Sequence, residues 1–441
     1  MLRLLGDQDL AAQYVGLAKS KLFQLRQAMN NQGLSTHSLR YELPDAHITV
    51  SKCYGVETIT IEGIGGRPMY ISGQVIQADG TWAWMVEKRD RNSALIWQKV
   101  YNSSPASYAV SPNGIAINDK TQNLFLAGKV YPVTPGYPNW QVECREPYGG
   151  SQVWQLVPSI EGEAYAVAAD DTGVYSAGRQ RFGTSVTDHD WRIEKRSLTD
   201  GTLLWQQTYS VESVPGDPST HVDTEAYAVD VANGQVVIAG LFGGFPTVEC
   251  RNASDGSLVW LKQLNNDSGS LLSGWLNGCK IVGNYVVVVG TQYNDPVSMI
   301  YDWRVIKLNL ADGSLVWSTS YHMASNSQAM ALSIGSDIHV CGFDSVNTYW
   351  RVEGRSLVDG TLLWADRPDG LTNDASNQSE AVAIVERGNT IYAGGWYMTP
   401  ATAAQAQYYM ERYGLDGTLQ GKTFMAKYPN YSQITGMVVG R

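Results

Sequence analysis

WRIEKRSLTDGTLLWQQTYS, from Trp191 to Ser210, reads as two β-strands joined by a tight turn. Apolar and polar residues alternate on both sides of Asp200-Gly201, and the glycine supplies the positive φ that a short hairpin needs. The same dipeptide recurs at Asp255-Gly256, Asp312-Gly313, Asp359-Gly360 and Asp416-Gly417. Five residues past the turn aspartate stand Trp205, Trp260, Trp317 and Trp364, with Trp97 and Trp154 as equivalents in two earlier units; the last unit has Gln420 there instead, four residues past Asp416. A large flat side chain at one fixed position per unit suits sheets packed face to face.

Upstream of each hairpin lies a hydrophobic strand that ends in glycine. The series is Gly73, Gly128, Gly178, Gly240, Gly290, Gly342 and Gly395, with steps of 55, 50, 62, 50, 52 and 53. Before it comes a strand in which alanine alternates with larger residues: EAYAV from Glu163, EAYAV from Glu225 and EAVAI from Glu380. Degenerate versions are ETITI from Glu57, NGIAI from Asn113, WLNGCKI from Trp275 and SQAMAL from Ser327. Small side chains suit the crowded inner strands of a radial array. Each unit thus holds four strands, none able to bury its faces alone. The expected fold is all-β, a seven-bladed β-propeller of four-stranded blades over residues 51–441. After the seventh unit, SQITGMVVGR from Ser432 to Arg441 reads as one more first strand, and its residues 433–439 would return to the first sheet and close the ring.

A second aromatic series opens the third strand at Trp84, Trp140, Trp191, Trp303 and Trp350, interrupted by Pro246 and Tyr408. Within that strand Glu87, Glu143, Glu194, Glu249 and Glu353 are each followed two residues later by Arg89, Arg145, Arg196, Arg251 and Arg355. Residues two apart share a face, so these read as repeated ion pairs of modest energy rather than a catalytic constellation.

The succession AYAV, a glycine-ended strand, DW-R-V-x-K-L and DGSLVWSTSY resembles the extracellular-type β-propeller repeat family, over about residues 56–441. A weaker similarity, through the turn and the tryptophan after it, runs to the repeats of quinone-binding dehydrogenases and their non-catalytic relatives. The resemblance implies a fold and a binding or scaffold role; it carries no catalytic motif onto these residues.

Residues 1–50 stand outside the repeat. Ala11, Val15, Ala18, Leu22, Leu25 and Met29 form a heptad stripe, Asp7 or Asp9 caps it and Asn30 to Gly33 stop it, so a helix is expected over about 9–30. A closed ring needs no helix to complete its core. The stripe is therefore an interaction surface, docking either on the propeller or on another subunit.

Composition narrows the partners. Charged residues make up 17% of the chain, and 32 Lys+Arg against 42 Asp+Glu give a net charge of −10, which disfavours phosphate backbones and anionic lipid. Cys53, Cys144, Cys250, Cys279 and Cys341 are dispersed and read as buried thiols. The sequence shows neither a signal peptide nor a run of about 20 apolar residues. With an added arm, that layout fits a protein of a large assembly such as a phage virion or tail, a cytoplasmic location being the alternative.

Chemistry is sparse. The turn aspartates lack the spacing of a calcium loop, and His189, between Asp188 and Asp190, is a minor metal candidate. Glu57, Glu163, Glu225 and Glu380, each at the start of a first strand, would ring one mouth of the central channel, where they either cap loop amides as a solvated rim or hold a cation, calcium being the candidate. The leading expectation is a non-enzymatic structural or adhesion protein with no cofactor, whose partners are protein subunits. The alternative is a ligand-binding propeller: a lectin that stacks glycans on Trp82, Trp275 and Trp396, or a quinone-cofactor oxidoreductase.

Overall fold

A computed structural model describes residues 38–43, 46–53, 56–62, 68–90, 93–104, 110–131, 136–158, 160–183, 188–210, 221–265, 269–293, 300–321, 326–344, 349–366, 378–398, 407–424 and 432–439. The helix expected over about 9–30, and with it Ala11, Val15, Ala18, Leu22, Leu25 and Met29, lies outside the described residues.

The first three strands, β1 (Ser38–Leu43), β2 (Ala46–Cys53) and β3 (Val56–Glu62), form an antiparallel meander of their own. His47 is the register partner of both Glu42 and Glu62. Glu57 stands on β3, opposite Lys52. The ETITI segment is therefore not the first strand of a blade, and Glu57 belongs to this separate sheet. Strand alternation alone does not say which neighbour a strand will pair with.

Seven four-stranded antiparallel sheets make the propeller. Blade 1 holds β4 (Met69–Ile76), β5 (Trp82–Arg89) and β6 (Leu95–Ser104). Blade 2 is β7 (Ser111–Ile117), β8 (Leu124–Val130), β9 (Asn139–Arg145) and β10 (Gln152–Leu156). Blade 3 is β11 (Gly162–Asp170), β12 (Gly173–Arg181), β13 (His189–Arg196) and β14 (Leu203–Tyr209). Blade 4 is β15 (Thr224–Ala232), β16 (Gln235–Phe242), β17 (Phe245–Asn252) and β18 (Leu258–Gln263). Blade 5 is β19 (Gly274–Val282), β20 (Tyr285–Tyr293), β21 (Tyr301–Asn309) and β22 (Leu315–Tyr321). Blade 6 is β23 (Gln328–Ile334), β24 (Ile338–Asp344), β25 (Tyr349–Arg355) and β26 (Leu362–Asp366). Blade 7 is β27 (Gln378–Arg387), β28 (Thr390–Met398), β29 (Gln407–Gly414) and β30 (Leu419–Phe424). The C-terminal strand β31 (Ser432–Val439) pairs with β4 and supplies the innermost strand of blade 1. Each inner strand packs against the next, from β7 through β27 to β31, and β31 packs against β7, so the ring is closed.

The glycine series has a steric cause. In blades 2 to 7 the inner strand carries a bulge, and the extra residue is Asn113, Tyr165, Tyr227, Asn277, Met330 or Val382. The bulge presses a carbonyl of the inner strand onto the second strand. A Cβ on Gly128, Gly178, Gly240, Gly290, Gly342 or Gly395 would collide with the backbone oxygen of Ser111, Glu163, Glu225, Trp275, Gln328 or Glu380 respectively. On Gly73 it would collide with that of Gln433, which puts β31 in the same relation to β4.

Turn and tryptophan form one device. Gly150, Gly201, Gly256, Gly313, Gly360 and Gly417, all with positive φ, lie on the rings of Trp97, Trp154, Trp205, Trp260, Trp317 and Trp364 of the preceding blade. A side chain there would strike the indole. Five of these indoles donate to backbone oxygens of the next turn: Trp97 to Pro147, Trp154 to Leu198, Trp205 to Ala253, Trp260 to Leu310 and Trp364 to Leu415, at 3.3, 3.0, 3.2, 2.8 and 2.8 Å. The turn aspartates stay local: Asp200, Asp255, Asp312, Asp359 and Asp416 each accept the backbone N–H two residues on.

The glutamate–arginine pairs are not modest surface bridges. Arg145 with Glu143, Arg196 with Glu194, Arg251 with Glu249 and Arg355 with Glu353 meet at 2.7, 2.6, 3.0 and 2.5 Å, and all eight side chains are buried. Each of these arginines also donates to its turn glycine's carbonyl, at Gly150, Gly201, Gly256 and Gly360. Some of the glutamates accept from the neighbouring blade as well: Trp140 donates to Glu194 and Trp191 to Glu249, both at 3.1 Å, while Tyr408 of blade 7 donates to Glu87 of blade 1 at 2.6 Å. Desolvation makes such a pair costly to break rather than a large source of stability. Blade 5 dispenses with it, placing Ile306 and Leu308 at those positions in an apolar cluster. The blade before it has Pro246 where blades 2 and 3 have the donor tryptophan, so there is no indole to satisfy.

Candidate functional site

Of the four glutamates expected to ring a channel mouth, Glu163 and Glu225 begin the inner strands of adjacent blades and Glu380 begins that of blade 7. The residue after the recurring glycine of the second strand reaches up to meet them. Lys129, after Gly128, lies 2.8 Å from Glu163, and Asn113 donates to the same carboxylate at 3.0 Å. Arg179, after Gly178, pairs with Glu225 at 2.7 Å and with Glu163 at 3.5 Å. Tyr227, the bulged residue of blade 4, donates to Glu225 at 2.7 Å. In blade 7 the residue after Gly395 is Trp396, whose indole donates to Glu380 at 3.2 Å, and burial raises that carboxyl above its usual range.

These contacts change what the glutamates can do. Glu163 and Glu225 are neutralised by fixed cations instead of presenting a shared negative mouth, so a calcium ion there would have to displace Arg179 and Lys129. Cation, carboxylate and phenol form one linked network: the Arg179 guanidinium lies 5.5 Å over the Tyr165 ring, which stands 5.2 Å from that of Tyr227. Burial, then Glu163 and Glu225, push the Tyr165 phenol far up, and burial and Glu225 do the same to Tyr227. Neither is a nucleophile near neutral pH.

Beside this network a cleft of about 230 Å³ opens at the end of the blades where the inner strands begin. Lys129, Tyr137, Glu163, Arg179, Arg181 and His189 are among its lining residues. Arg181 is committed to Glu161 at 2.5 Å and packs over Tyr137 at 4.3 Å. His189 Nδ1 stands 3.6 Å from Glu225 and 3.7 Å from Asp223. Burial and then Arg179 lower the imidazole below its usual value, which keeps it neutral.

The three tryptophans considered for glycan stacking are all half-buried. Trp275 packs edge-on to Tyr301 at 4.8 Å, Trp396 is tied to Glu380 and Trp82 joins an apolar cluster. The described cysteines, Cys144, Cys250, Cys279 and Cys341, are buried free thiols. Burial pushes the first two up to about 12. A group not marked out by sequence is Asp188, His221 and Asp223, whose ligand atoms lie within 4.8 Å of one another. They come from two separate connections, so no spacing announced them.

Residues 189–407 match the family model described as outer membrane protein assembly factor BamB. The match runs from the third strand of blade 3 to the third strand of blade 7. No curated protein matches the chain. Among solved structures, BamB from Moraxella catarrhalis is similar at 13% identity and a TM-score of 0.42, over 80% of this chain and 87% of that one. Quinohemoprotein alcohol dehydrogenase from Comamonas testosteroni gives 10% and 0.47, over 80% of this chain and 67% of that one. The periplasmic gluconolactonase PpgL of Pseudomonas aeruginosa gives 11% and 0.46, over 81% and 99%.

Proposed function

We propose that the chain is a non-catalytic interaction propeller, a protein-binding subunit of a larger assembly. The observation that carries this reading is a periodic apolar edge. In blades 3 to 6 the outer strand begins with the pairs Leu203-Leu204, Leu258-Val259, Leu315-Val316 and Leu362-Leu363, each residue 39 to 57% exposed. Single exposed aliphatic residues are ordinary on a protein surface. The same pair on four consecutive edge strands is a patterned surface, next to backbone groups open to pairing with another chain. The family match supports the reading in kind, since its description is that of an assembly factor.

The finer form of the proposal places the propeller on a virion or tail assembly, attached through residues 1–50. It rests on the heptad stripe from Ala11 to Met29. A small-ligand role is the competing reading, favoured by the cleft beside Arg179. At about 230 Å³ that cleft falls below the roughly 300–1,000 Å³ of most ligand sites, and its cations are already paired. The edge is tested by placing lysine at Leu204, Val259, Val316 and Leu363 together. The variant should keep its melting temperature and lose the protein that copurifies with the wild-type chain. Unchanged copurification would reject the edge as the docking surface.

A further inference from the structure

The structure assigns a divalent transition-metal site to Asp188, His221 and Asp223, at the junction of blades 3 and 4. Asp188 ends the connection from β12 to β13, and His221 and Asp223 lie just before β15. The acidic pair alone would mean little. What points to a ligand is His221. Its side chain is only 1% exposed, and its Nδ1 has no hydrogen-bond partner among the described residues. A buried imidazole nitrogen keeps its full desolvation penalty unless something occupies it.

The other ring nitrogen shows what that occupant would be. Nε2 stands 3.0 Å from the buried carboxylate of Asp190, and Phe182 stacks on the ring at 4.1 Å, so the imidazole is fixed in both tilt and position. With the Nε2 proton donated to Asp190, Nδ1 presents its lone pair. A carboxylate behind a histidine is the usual support of a metal-ligating imidazole, because it sets the tautomer and raises ligand basicity. The backbone holds the two aspartates: Asp188 O accepts from Phe182 N at 2.9 Å, and Asp223 O from Gly243 N at 3.1 Å. Asp223 Oδ1 accepts the His189 backbone N–H at 2.8 Å, and its side chain is half exposed.

Three atoms no more than 4.8 Å apart lie within about 2.8 Å of a common point, so small side-chain rotations reach the roughly 2.0–2.2 Å of zinc–nitrogen and zinc–oxygen bonds. One imidazole and two carboxylates suit Zn²⁺ or Mn²⁺; calcium wants six to eight oxygens and gains nothing from the nitrogen. The two carboxylates neutralise the ion, and water completes its coordination. Bound there, it would clamp the β12–β13 connection of blade 3 to the entry of blade 4.

The test uses the full-length chain, stripped with chelator and titrated with ZnCl₂, MnCl₂ or CaCl₂ by calorimetry. The expected result is one equivalent of Zn²⁺ per chain, tighter than Ca²⁺, with a higher melting temperature. Asp223→Asn, on a half-exposed side chain, should fold normally and lose at least about 10-fold in Zn²⁺ affinity, and Asp190→Asn should lose about 10- to 100-fold through the imidazole it positions. Co²⁺ substitution gives a second readout, a visible spectrum absent from the Asp188→Asn/Asp223→Asn variant. The assignment is overturned if the stripped wild type takes up no stoichiometric Zn²⁺, if Ca²⁺ binds more tightly, or if the double variant binds Zn²⁺ as well as wild type.

Discussion

Replacing Arg251 with leucine strands the Glu249 carboxylate inside the packed face of blade 4. In the wild type Glu249 accepts from Arg251 Nε at 3.0 Å, Arg251 Nη2 at 3.2 Å and the Trp191 indole at 3.1 Å. Removing one partner of a buried pair costs about 3–5 kcal/mol, because the remaining charge keeps its desolvation penalty. With an unfolding entropy of about 2.1 cal/mol/K per residue over about 370 residues, a loss of about 4 kcal/mol lowers the melting temperature by about 5 °C. The double variant Glu249→Ile/Arg251→Leu copies the Ile306 and Leu308 of blade 5 and should recover most of that loss, leaving the unsatisfied Trp191 indole to cost about 1–3 kcal/mol. The pH dependence separates the two. Burial raises the Glu249 carboxyl, and Arg251 is the group that chiefly opposes it. Without Arg251 the folded value rises further above the unfolded one. The protonated form then favours the fold, so stability is full at low pH and lost as pH rises through the folded value. The deficit of Arg251→Leu should therefore grow between pH 4.5 and pH 8 in differential scanning calorimetry, while the double variant, with no carboxyl at 249, shows no such loss. A single variant that melts within about 1 °C of wild type, or a double variant that melts lower than the single, would mean that Glu249 is not stranded by the loss of Arg251.

Other parts of the fold give sharper yes-or-no outcomes. Gly178→Ala drives a Cβ into the Glu163 carbonyl and to 2.8 Å from the Trp140 ring, and should cost about 1–3 kcal/mol or more, whereas Gly149→Ala, which meets only the Glu146 carboxylate at 3.3 Å, should be near neutral in urea unfolding. Ending the chain at residue 431 removes the inner strand of blade 1 together with the fully buried Ile434, and should abolish a single cooperative melt; an unchanged melting curve would mean that β31 is dispensable. Burial depresses His339 from 6.5 to about 4, so its share of stability, about 3 kcal/mol, is present above pH 6.5 and lost as pH falls toward 4. Glu386, 3.2 Å away and raised by burial, moves the opposite way and offsets part of this. His339→Phe should flatten the acid limb, and a limb as steep as wild type would contradict the assignment.

Much of this architecture was legible in the sequence because its periodic residues answer to backbone geometry. The strand-ending glycines recur since a bulged inner strand leaves no room for a Cβ, and tryptophan follows the Asp-Gly turn because the next blade's turn glycine rests on its ring. Features that depend on a strand's neighbour were not legible. ETITI from Glu57 alternates as well as any inner strand, yet pairs with β2. The two-residue spacing of glutamate and arginine revealed the pair but not its burial, because a pleat does not record which face another blade will cover. At the candidate site, Glu163 and Glu225 stand as neighbours as their repeat position implied, while the charge of Arg179 between them belongs to a position that varies from blade to blade. Asp188 stood out only as a flank of His189, and nothing tied it to His221 and Asp223, since loops joined only by folding have no characteristic spacing.

The interaction role is tested most directly by native mass spectrometry of the full-length chain and of a form lacking residues 1–45, each purified with its copurifying material. The 48.4 kDa chain should appear in a stoichiometric complex with another protein, and the shortened form should be a folded propeller released from it. A full-length chain that is always found alone, and that instead carries a bound quinone cofactor or glycan, would contradict it.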